Sequence, residues 1–307
     1  MSQILVTGAN GFIGSTLIKN HPIHRIVLRK GTYSDFEDVS YVDEINGDTD
    51  WTGAFEQINS VIHLAGLAHK KSFSESDYKA VNIDGTLKLA CEAAAAGVRR
   101  FVFVSSIGVN GSATNGQPFC SNDLANPHNL YAESKHKAEL GLWEISQQTG
   151  LEVVIVRPTL VYGPNAPGNF GLLTKLIEKV PFLPFGVAKN QRDFICVQNL
   201  ADLLVVCANN ERAVGNVFLA SDNETVSTKG FTNAIAEGIG KEVLQIPVPS
   251  GLMSLIGKVS GKSAMVDQLF GDLQVDSSNL NDVLDWAPPF TMKQAMSSLR
   301  DSSKNYL

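Results

Sequence analysis

A tyrosine and a lysine stand four residues apart, at Tyr131 and Lys135, inside a segment with a helical pattern. This spacing places both side chains on one face of a helix, within reach of one ligand. A phenol has an ordinary pKa of about 10, but a nearby positive charge favours the phenolate, which can take and return an alcohol proton. Ser106 follows a strand-like run and is placed to hydrogen-bond the same oxygen. Together the three residues predict acid/base chemistry at a carbon that bears a hydroxyl group.

Three glycines near the start of the chain lie in the spacing Gly-x-x-Gly-x-x-Gly, between a strand-like run and an amphipathic stretch. Glycine permits a tight turn and lets backbone N–H groups and a helix start approach a diphosphate closely. Glycine triplets also occur in ordinary turns, but a strand-to-helix junction favours a dinucleotide site. The residues expected to bind the cofactor in this turn are Gly8, Asn10, Gly11, Phe12, Ile13 and Gly14.

The second strand-like run ends in two cations, Arg29 and Lys30. A site that selects NAD usually carries an acidic residue there, which accepts a hydrogen bond from the ribose 2′-hydroxyl. Arg29 can bind a 2′-phosphate through its guanidinium fork and Lys30 adds charge, so the pair predicts NADP rather than NAD. The alternative is that both are solvated strand-end residues. Asp48 is expected either to meet the adenine ring or to be an aspartate of a turn.

Several short β-branched runs alternate with helix-like segments along the first half of the chain, at 3–7, 25–28, 60–64, 101–105 and 152–157. Runs separated by helices, such as those at 76–96 and 130–149, predict a parallel sheet covered on both faces. The fold class is therefore predicted as α/β, a Rossmann doubly wound parallel sheet with a smaller α/β substrate domain. We place the Rossmann domain at 1–162 with a return segment at about 192–220, and the substrate domain at 163–191 and 221–307.

The 307-residue chain is 44% apolar and 18% charged, with a formal net charge of −6. This composition excludes a disordered or disulfide-framework chain, and the mild acidity argues against nucleic acid as a partner. No apolar stretch approaches the ~20 residues that span a bilayer and no export signal is visible, so we expect a cytoplasmic protein. The apolar run at 252–259 is predicted to be a packed surface helix rather than a membrane contact. We expect no metal, and we interpret the four cysteines as small buried side chains: Cys91, Cys120, Cys196 and Cys207.

Seven motifs, in chain order, resemble those of the extended short-chain dehydrogenase/reductases of the nucleotide-sugar epimerase/dehydratase family. They are Thr-Gly-Ala-Asn-Gly-Phe-Ile-Gly (7–14), Val-Ile-His-Leu-Ala-Gly (61–66), Val-Asn-Ile-Asp-Gly-Thr (81–86), Phe-Val-Ser-Ser (103–106), Tyr-x-x-x-Lys (131–135), Arg-Pro-Thr-Leu-Val-Tyr-Gly-Pro (157–164) and Arg-Asp-Phe-Ile-x-Val-x-Asn-Leu-Ala (192–201). The likeness is greatest to the branch of bacterial UDP-hexose 4-epimerases and UDP-N-acetyl-quinovosamine-type 4-ketoreductases of surface-polysaccharide synthesis.

This resemblance implies that Tyr131 is the acid/base and that Lys135 holds the nicotinamide ribose and lowers the pKa of Tyr131. Ser106, in preference to its neighbour Ser105, would orient the sugar oxygen. The family also implies a homodimer, formed through the helices at 76–96 and 130–149. A helix buried within one subunit would give the same apolar pattern.

The resemblance also assigns contacts to the cofactor and the substrate. Leu64, Ala65 and Gly66 would flank the cofactor, and Asn82 would either set the geometry behind it or cap a helix. On the substrate side, Asn169 and Arg192 match positions that contact the nucleotide diphosphate. For Arg192 the alternative is a salt bridge to Asp193.

Three departures from the family pattern bear on the substrate and the direction of the reaction. Leu160 stands where epimerases often have asparagine, no arginine is evident near 265–276, and Arg29 replaces the acidic NAD-selecting residue. Because cellular reducing power is mostly NADPH, the sequence favours a 4-ketoreductase acting on a UDP-hexose or UDP-N-acetylhexosamine. A UDP-glucose or UDP-N-acetylglucosamine 4-epimerase is the alternative, and a non-catalytic NADP-binding sensor is the second alternative.

Overall fold

The structure is a computed structural model that describes residues 3–68, 72–249, 251–253 and 269–300. Its main sheet consists of seven parallel strands, which are β1 (Ile4–Thr7), β2 (Arg25–Arg29), β3 (Val39–Val42), β4 (Ser60–His63), β5 (Arg100–Val104), β6 (Glu152–Pro158) and β10 (Val217–Ala220). They are ordered β10-β6-β5-β4-β1-β2-β3. Every pairing in this sheet is parallel. The predicted doubly wound Rossmann sheet is therefore confirmed.

Helices cover both faces of this sheet because its inner strands are apolar on both sides. On one face lie α1 (Phe12–Asn20) and α6 (Val197–Asn209), and on the other lie α3 (Gly85–Ala95) and α4 (Leu130–Thr149). Successive residues of β4 point to opposite faces of the sheet. Ile62 therefore packs in the core under α1 and α6, and Val61 packs in the core under α3 and α4.

The second half of the chain adds shorter elements around a third core. These are β7 (Leu160–Tyr162) paired with β9 (Phe194–Cys196), β8 (Phe182–Leu183) paired with β11 (Leu244–Gln245), and the helices α5 (Gly168–Lys179), α7 (Thr228–Gly238) and α9 (Met292–Ser297). Helix α8 (Ser278–Leu284) instead packs Leu280 and Leu284 into the core on the α1 and α6 face of the main sheet. Aromatic rings fill this core, and Phe194 stacks on Phe231 with centroids 3.8 Å apart. The domain boundaries given above stay a prediction.

Four details differ from the sequence-based expectations or lie beyond them. Strand β3 was not predicted. The single helix expected at 76–96 is divided into α2 (Glu75–Tyr78), a π-helical turn (Lys79–Asp84) and α3. The interpretation of all four cysteines as buried is wrong for Cys91, which is exposed, and for Cys120, which is half-buried. The surface helix predicted at 252–259 falls outside the described residues beyond residue 253.

Candidate active site

The glycine turn between β1 and α1 has no room for side chains. Gly8 adopts a φ of +73°, and a Cβ there would lie 2.7 Å from the Ala65 nitrogen. A Cβ on Gly14 would lie 2.2 Å from the Gly8 carbonyl oxygen. Gly11 is the N-cap of α1 and no side chain caps this helix, so the amides of Phe12 and Ile13 are not taken up by a capping residue. This bare cradle fits the diphosphate of a nicotinamide dinucleotide.

Hydrogen bonds among Thr7, His63 and Thr86, which are all buried, join β1, β4 and α3 behind the glycine turn. His63 Nδ1 lies 2.7 Å from Thr7 Oγ1, and His63 Nε2 lies 3.0 Å from Thr86 Oγ1. Thr86 donates its own proton to the Asn82 carbonyl at 2.8 Å, so it accepts from Nε2–H, and Nδ1 accepts from Thr7. Burial lowers the pKa of His63 to about 3, so the ring is neutral. It is fully buried and therefore does not line the cofactor pocket.

Asn82 holds the loop that follows β4. Its Oδ1 accepts from the Leu67 N–H at 2.7 Å, and its Nδ2 donates to the Leu67 carbonyl at 3.1 Å and to Ser134 Oγ at 3.0 Å. A Cβ on Gly66 would lie 3.0 Å from Asn82 Oδ1. Asn82 sits in the π-helical turn, a feature that recurs at functional sites. It is therefore a clamp on this loop and not the helix cap that the sequence left open.

Lys135 reaches the end of β5 from α4. Its Nζ donates to the Val104 carbonyl at 2.9 Å and lies 4.6 Å from the centroid of the Phe103 ring. Burial lowers the pKa of Lys135 to about 8, and the charge of Glu139 opposes that shift. The ammonium is thus held beside the loop that carries Gly66, where a Cβ would lie 3.6 Å from Nζ.

Tyr131 lies on α4 with its ring centroid 6.3 Å from that of Tyr78. Burial raises the pKa of Tyr131 to about 12, and Tyr78 adds to the rise. This direction is the opposite of the lowering that the resemblance assigns to Lys135, because burial penalises the charged phenolate; the effect of Lys135 itself stays a prediction.

Ser106 and Ser105 differ in accessibility, which bears on the choice between them. Ser106 is half-buried, caps the 3₁₀ turn Ile107–Val109 and accepts from the Gly108 N–H at 3.1 Å. Ser105 is only 3% exposed. The accessible serine at this strand end is thus the one that the sequence favoured, although its role stays a prediction.

The cations at the end of β2 are in different environments. Arg29 is exposed. Lys30 Nζ lies 2.7 Å from Asp43 Oδ2, and both of these side chains are exposed. A 2′-phosphate would have to compete with Asp43 for Lys30, whereas Arg29 makes no ion pair within the described part of the chain. Asp48 lies in a turn, where its N–H donates to Asn46 Oδ1 at 2.9 Å.

The two residues predicted to contact a diphosphate on the substrate side are not presented alike. Asn169 is exposed in the first turn of α5, whereas Arg192 is 6% exposed and its Nη1 donates to the Gly271 carbonyl at 2.9 Å. Burial lowers the pKa of Arg192, although the charges of Asp272 and Asp193 act in the opposite direction. The alternative salt bridge to Asp193 is not observed, because that carboxylate accepts from Thr225 and from the Val275 N–H. A diphosphate that meets Arg192 must therefore enter the protein interior.

Sequence reasoning missed a buried acidic side chain beside Lys135. Glu139 lies one turn further along α4, is 2% exposed and pairs with Arg157 of β6. The available signal was the spacing, since Glu139 follows Lys135 by the same four residues that separate Lys135 from Tyr131.

The described residues contain neither a metal-binding cluster nor a membrane-spanning helix. Within them, no three histidine, cysteine or acidic side chains are grouped in a way that would hold a metal ion. No helix in the same ranges has the length and apolar character needed to cross a membrane.

A Rossmann sheet with a glycine cradle, and a Tyr–Lys pair on the helix beside it, define a nicotinamide-dependent oxidoreductase of the short-chain type. Residues 4–220 match the model of the family described as NAD dependent epimerase/dehydratase family. The chain belongs to this family of enzymes, which confirms the resemblance drawn from the seven motifs.

Individual relatives agree with this assignment. The chain is 38% identical over 303 residues to the UDP-glucose 4-epimerase of Vibrio cholerae, across 95% of this chain and 92% of that protein. Among solved structures, the UDP-glucuronic acid 4-epimerase of Bacillus cereus in complex with NAD superimposes with a TM-score of 0.77 at 20% identity, covering 99% of both chains. The Bordetella bronchiseptica enzyme WbmG in complex with NAD gives a TM-score of 0.75 at 20% identity, over 99% of this chain and 94% of that one.

Proposed function

We propose that the protein is an NAD-dependent 4-epimerase of a UDP-linked hexose or N-acetylhexosamine. The observation that carries the proposal is the placement of Lys135, whose ammonium meets the Val104 carbonyl at the end of β5, one helical turn from Tyr131 and beside the loop of Gly66. The match to a UDP-glucose 4-epimerase over nearly the whole chain supports the substrate class. This choice differs from the reductase that the sequence favoured, because Asp43 already pairs with one of the two cations on which that preference rested.

In this proposal the chain's own residues move one proton and position one oxygen. A bound nicotinamide supplies hydride exchange at the sugar carbon. Tyr131 takes the proton of the 4-hydroxyl group and returns it after the sugar has presented its other face, while Ser106 hydrogen-bonds the same oxygen. Lys135 holds the cofactor ribose, and Gly8, Gly11 and Gly14 leave the diphosphate in contact with main-chain N–H groups.

The test is an assay of the purified protein without added cofactor. A 4-epimerase that retains NAD interconverts UDP-glucose and UDP-galactose, or their N-acetylated counterparts, and chromatography of the sugar nucleotides measures both directions. A protein that leaves all these sugars unchanged, yet consumes one NADPH for each UDP-4-keto sugar reduced, would overturn the proposal.

That second outcome corresponds to a 4-ketoreductase, which two observations favour. Arg29 offers an exposed guanidinium where a 2′-phosphate would lie. Tyr131 is held as a neutral phenol, its pKa raised to about 12 by burial, and this is the form that donates a proton to a keto oxygen.

The cofactor preference can be tested at Arg29, with Lys30 as a matched control. We expect Arg29→Ser to weaken NADP binding about tenfold and to leave NAD binding within about twofold, because a charged hydrogen bond to phosphate is worth roughly 1.5 kcal/mol. Lys30→Ser should have a smaller effect, since Asp43 lies 2.7 Å from its ammonium. Fluorescence titration with NADPH and NADH measures both. Equal losses for the two cofactors in Arg29→Ser would contradict a 2′-phosphate pocket.

We also propose a homodimer built on α3 and α4. The two helices pack closely within one subunit, since a Cβ on Gly141 would lie 2.6 Å from Leu87 Cδ2. They nevertheless leave Leu130 and Leu140 exposed, at 42% and 51%. Leu140→Glu should shift the protein to a monomer in sedimentation velocity, whereas Leu124→Glu, at a side chain 93% exposed in a loop, should not. A monomeric wild-type protein at micromolar concentration would contradict the proposal.

A further inference from the structure

A buried ion pair lies directly behind the proposed catalytic residues. Glu139 Oε1 and Oε2 accept from Arg157 Nε at 2.9 Å and from Arg157 Nη2 at 2.6 Å, a two-point contact between side chains that are 2% and 6% exposed. Two-point contacts of this kind fix orientation as well as charge. The pair joins α4, which carries Tyr131 and Lys135, to strand β6.

The same guanidinium reaches the turn that carries Ser106. Arg157 Nη1 donates to Asn110 Oδ1 at 2.9 Å, and Asn110 Nδ2 donates to the Cys120 carbonyl at 3.1 Å. Asn110 closes the 3₁₀ turn that Ser106 caps. One buried arginine therefore contacts both the helix that carries the Tyr–Lys pair and the turn that carries the serine.

The charges around Glu139 determine its state. Burial raises the pKa of Glu139, but the nearby His136, whose Nδ1 lies 3.8 Å from Glu139 Oε2, and the hydrogen bonds and charge of Arg157 outweigh burial and lower it. The carboxylate is thus ionised at neutral pH. It raises the pKa of Lys135, which burial lowers, while His63 and the Tyr131 phenol, two further titratable groups near Lys135, are neutral.

We propose that Glu139, anchored by Arg157, is a positioning residue that keeps Lys135 protonated and holds α4 in register with the Ser106 turn. The inference rests on the proposed roles of Tyr131 and Lys135. It goes beyond them because it makes the protonation state of Lys135 depend on Glu139, a side chain that is proposed to touch neither substrate nor cofactor. Without Glu139, Lys135 would lose its proton near neutral pH.

The chain supplies a control ion pair at the other end of strand β6. Arg100 is fully buried on β5 and its Nη2 lies 2.6 Å from Glu152 Oε2, on β6. The Glu152 side chain is more exposed than that of Glu139, at 28% against 3%, but its loss still leaves the buried Arg100 guanidinium without its carboxylate, which destabilises the fold. Glu152→Gln should therefore lower the melting temperature without affecting Lys135, which separates a structural role from the proposed one.

The experiment follows the titration of Lys135 by NMR in protein labelled with ¹³C at lysine Cε, with its signal assigned as the one lost in Lys135→Arg. In wild-type protein we expect a midpoint near pH 8. In Glu139→Gln it should fall by about one unit, since removing a nearby negative charge favours the neutral amine. In Glu152→Gln it should not move. An unchanged midpoint in Glu139→Gln would overturn the proposal.

A second variant covers the case in which Glu139→Gln does not fold. The double variant Glu139→Leu/Arg157→Met also removes the cation that would be left buried without a partner, and replacement of a buried pair by apolar residues of similar volume is commonly tolerated. It should shift the Lys135 midpoint in the same direction but by less, because the nearby positive charge of Arg157 is removed as well; a midpoint at or above the wild-type value would count against the proposal.

Turnover then distinguishes this inference from the proposed function. In an active protein, the alkaline limb of the kcat profile should move to lower pH in Glu139→Gln by the shift seen for Lys135, and not in Glu152→Gln. A profile that stays in place would overturn the inference. If no sugar nucleotide is turned over at all, the proposed function fails while the NMR titration still decides the role of Glu139.

Discussion

Replacing Tyr131 by phenylalanine is expected to lower kcat by about 10²- to 10⁴-fold and to leave the affinity for NAD within about twofold. The substitution removes one hydroxyl group, which is the group proposed to exchange a proton with the 4-oxygen of the sugar. The cradle of Gly8, Gly11 and Gly14 is untouched, so cofactor binding should persist. Steady-state turnover and calorimetric titration with NAD measure the two quantities on the same preparation.

Tyr78→Phe is the matched control, because the ring of Tyr78 packs 6.3 Å from that of Tyr131. Its hydroxyl donates to the Ala68 carbonyl at 3.3 Å, and its loss should change kcat by no more than a few-fold. If Tyr131→Phe retained wild-type turnover, the acid/base assignment would fall. A protein whose biological role survived the substitution would instead be the non-catalytic sensor considered above.

Replacing Gly14 by alanine is expected to weaken NAD binding by at least about 100-fold and to destabilise the fold by about 3 kcal/mol. The added Cβ would lie 2.2 Å from the Gly8 carbonyl oxygen and 2.7 Å from the Ala9 Cα, both backbone atoms. Since neither can move alone, α1 must shift away from β1 and carry the cradle amides with it. Thermal unfolding and calorimetric titration with NAD report the two effects.

Gly230→Ala provides the control, since Gly230 is also the third residue of its helix, α7. A Cβ there would meet its nearest atom, Ser227 Oγ, at 3.6 Å, an ordinary contact. We expect it to bind NAD normally and to be stabilised by up to about 1 kcal/mol, because alanine is the better helix former. Normal NAD affinity in Gly14→Ala would show that the cradle is not the cofactor site.

The sequence predicted those features that depend on local pattern. The inner strands are apolar runs, so β1, β2, β4, β5 and β6 were found within one or two residues, and α4 was found with its bounds. Strand β3 was missed because only Val42 is buried in Val39–Val42, so the pattern is that of a half-exposed edge. Edge strands carry little of the hydrophobic signal on which such predictions depend.

What the sequence did not predict depends on which segments meet in space. The pairing of Lys30 with Asp43 follows from the register of β2 and β3. This contact engages one of the two cations on which the NADP prediction rested. The contact of Arg192 with Gly271, and that of Glu139 with Arg157, likewise join distant positions. The direction of the Tyr131 pKa depends on burial, which a motif does not reveal.

The edge position of β10 constrains how this chain can mature during synthesis. Strand β6 pairs with β5 on one side and with β10, residues 217–220, on the other. Strand β10 leaves the ribosome only after β7, α5 and α6 have been synthesised. Until then, β6 presents an open row of amide and carbonyl groups, which is a template for mispairing between nascent chains. The main sheet can therefore be completed only after residue 220 has left the ribosome.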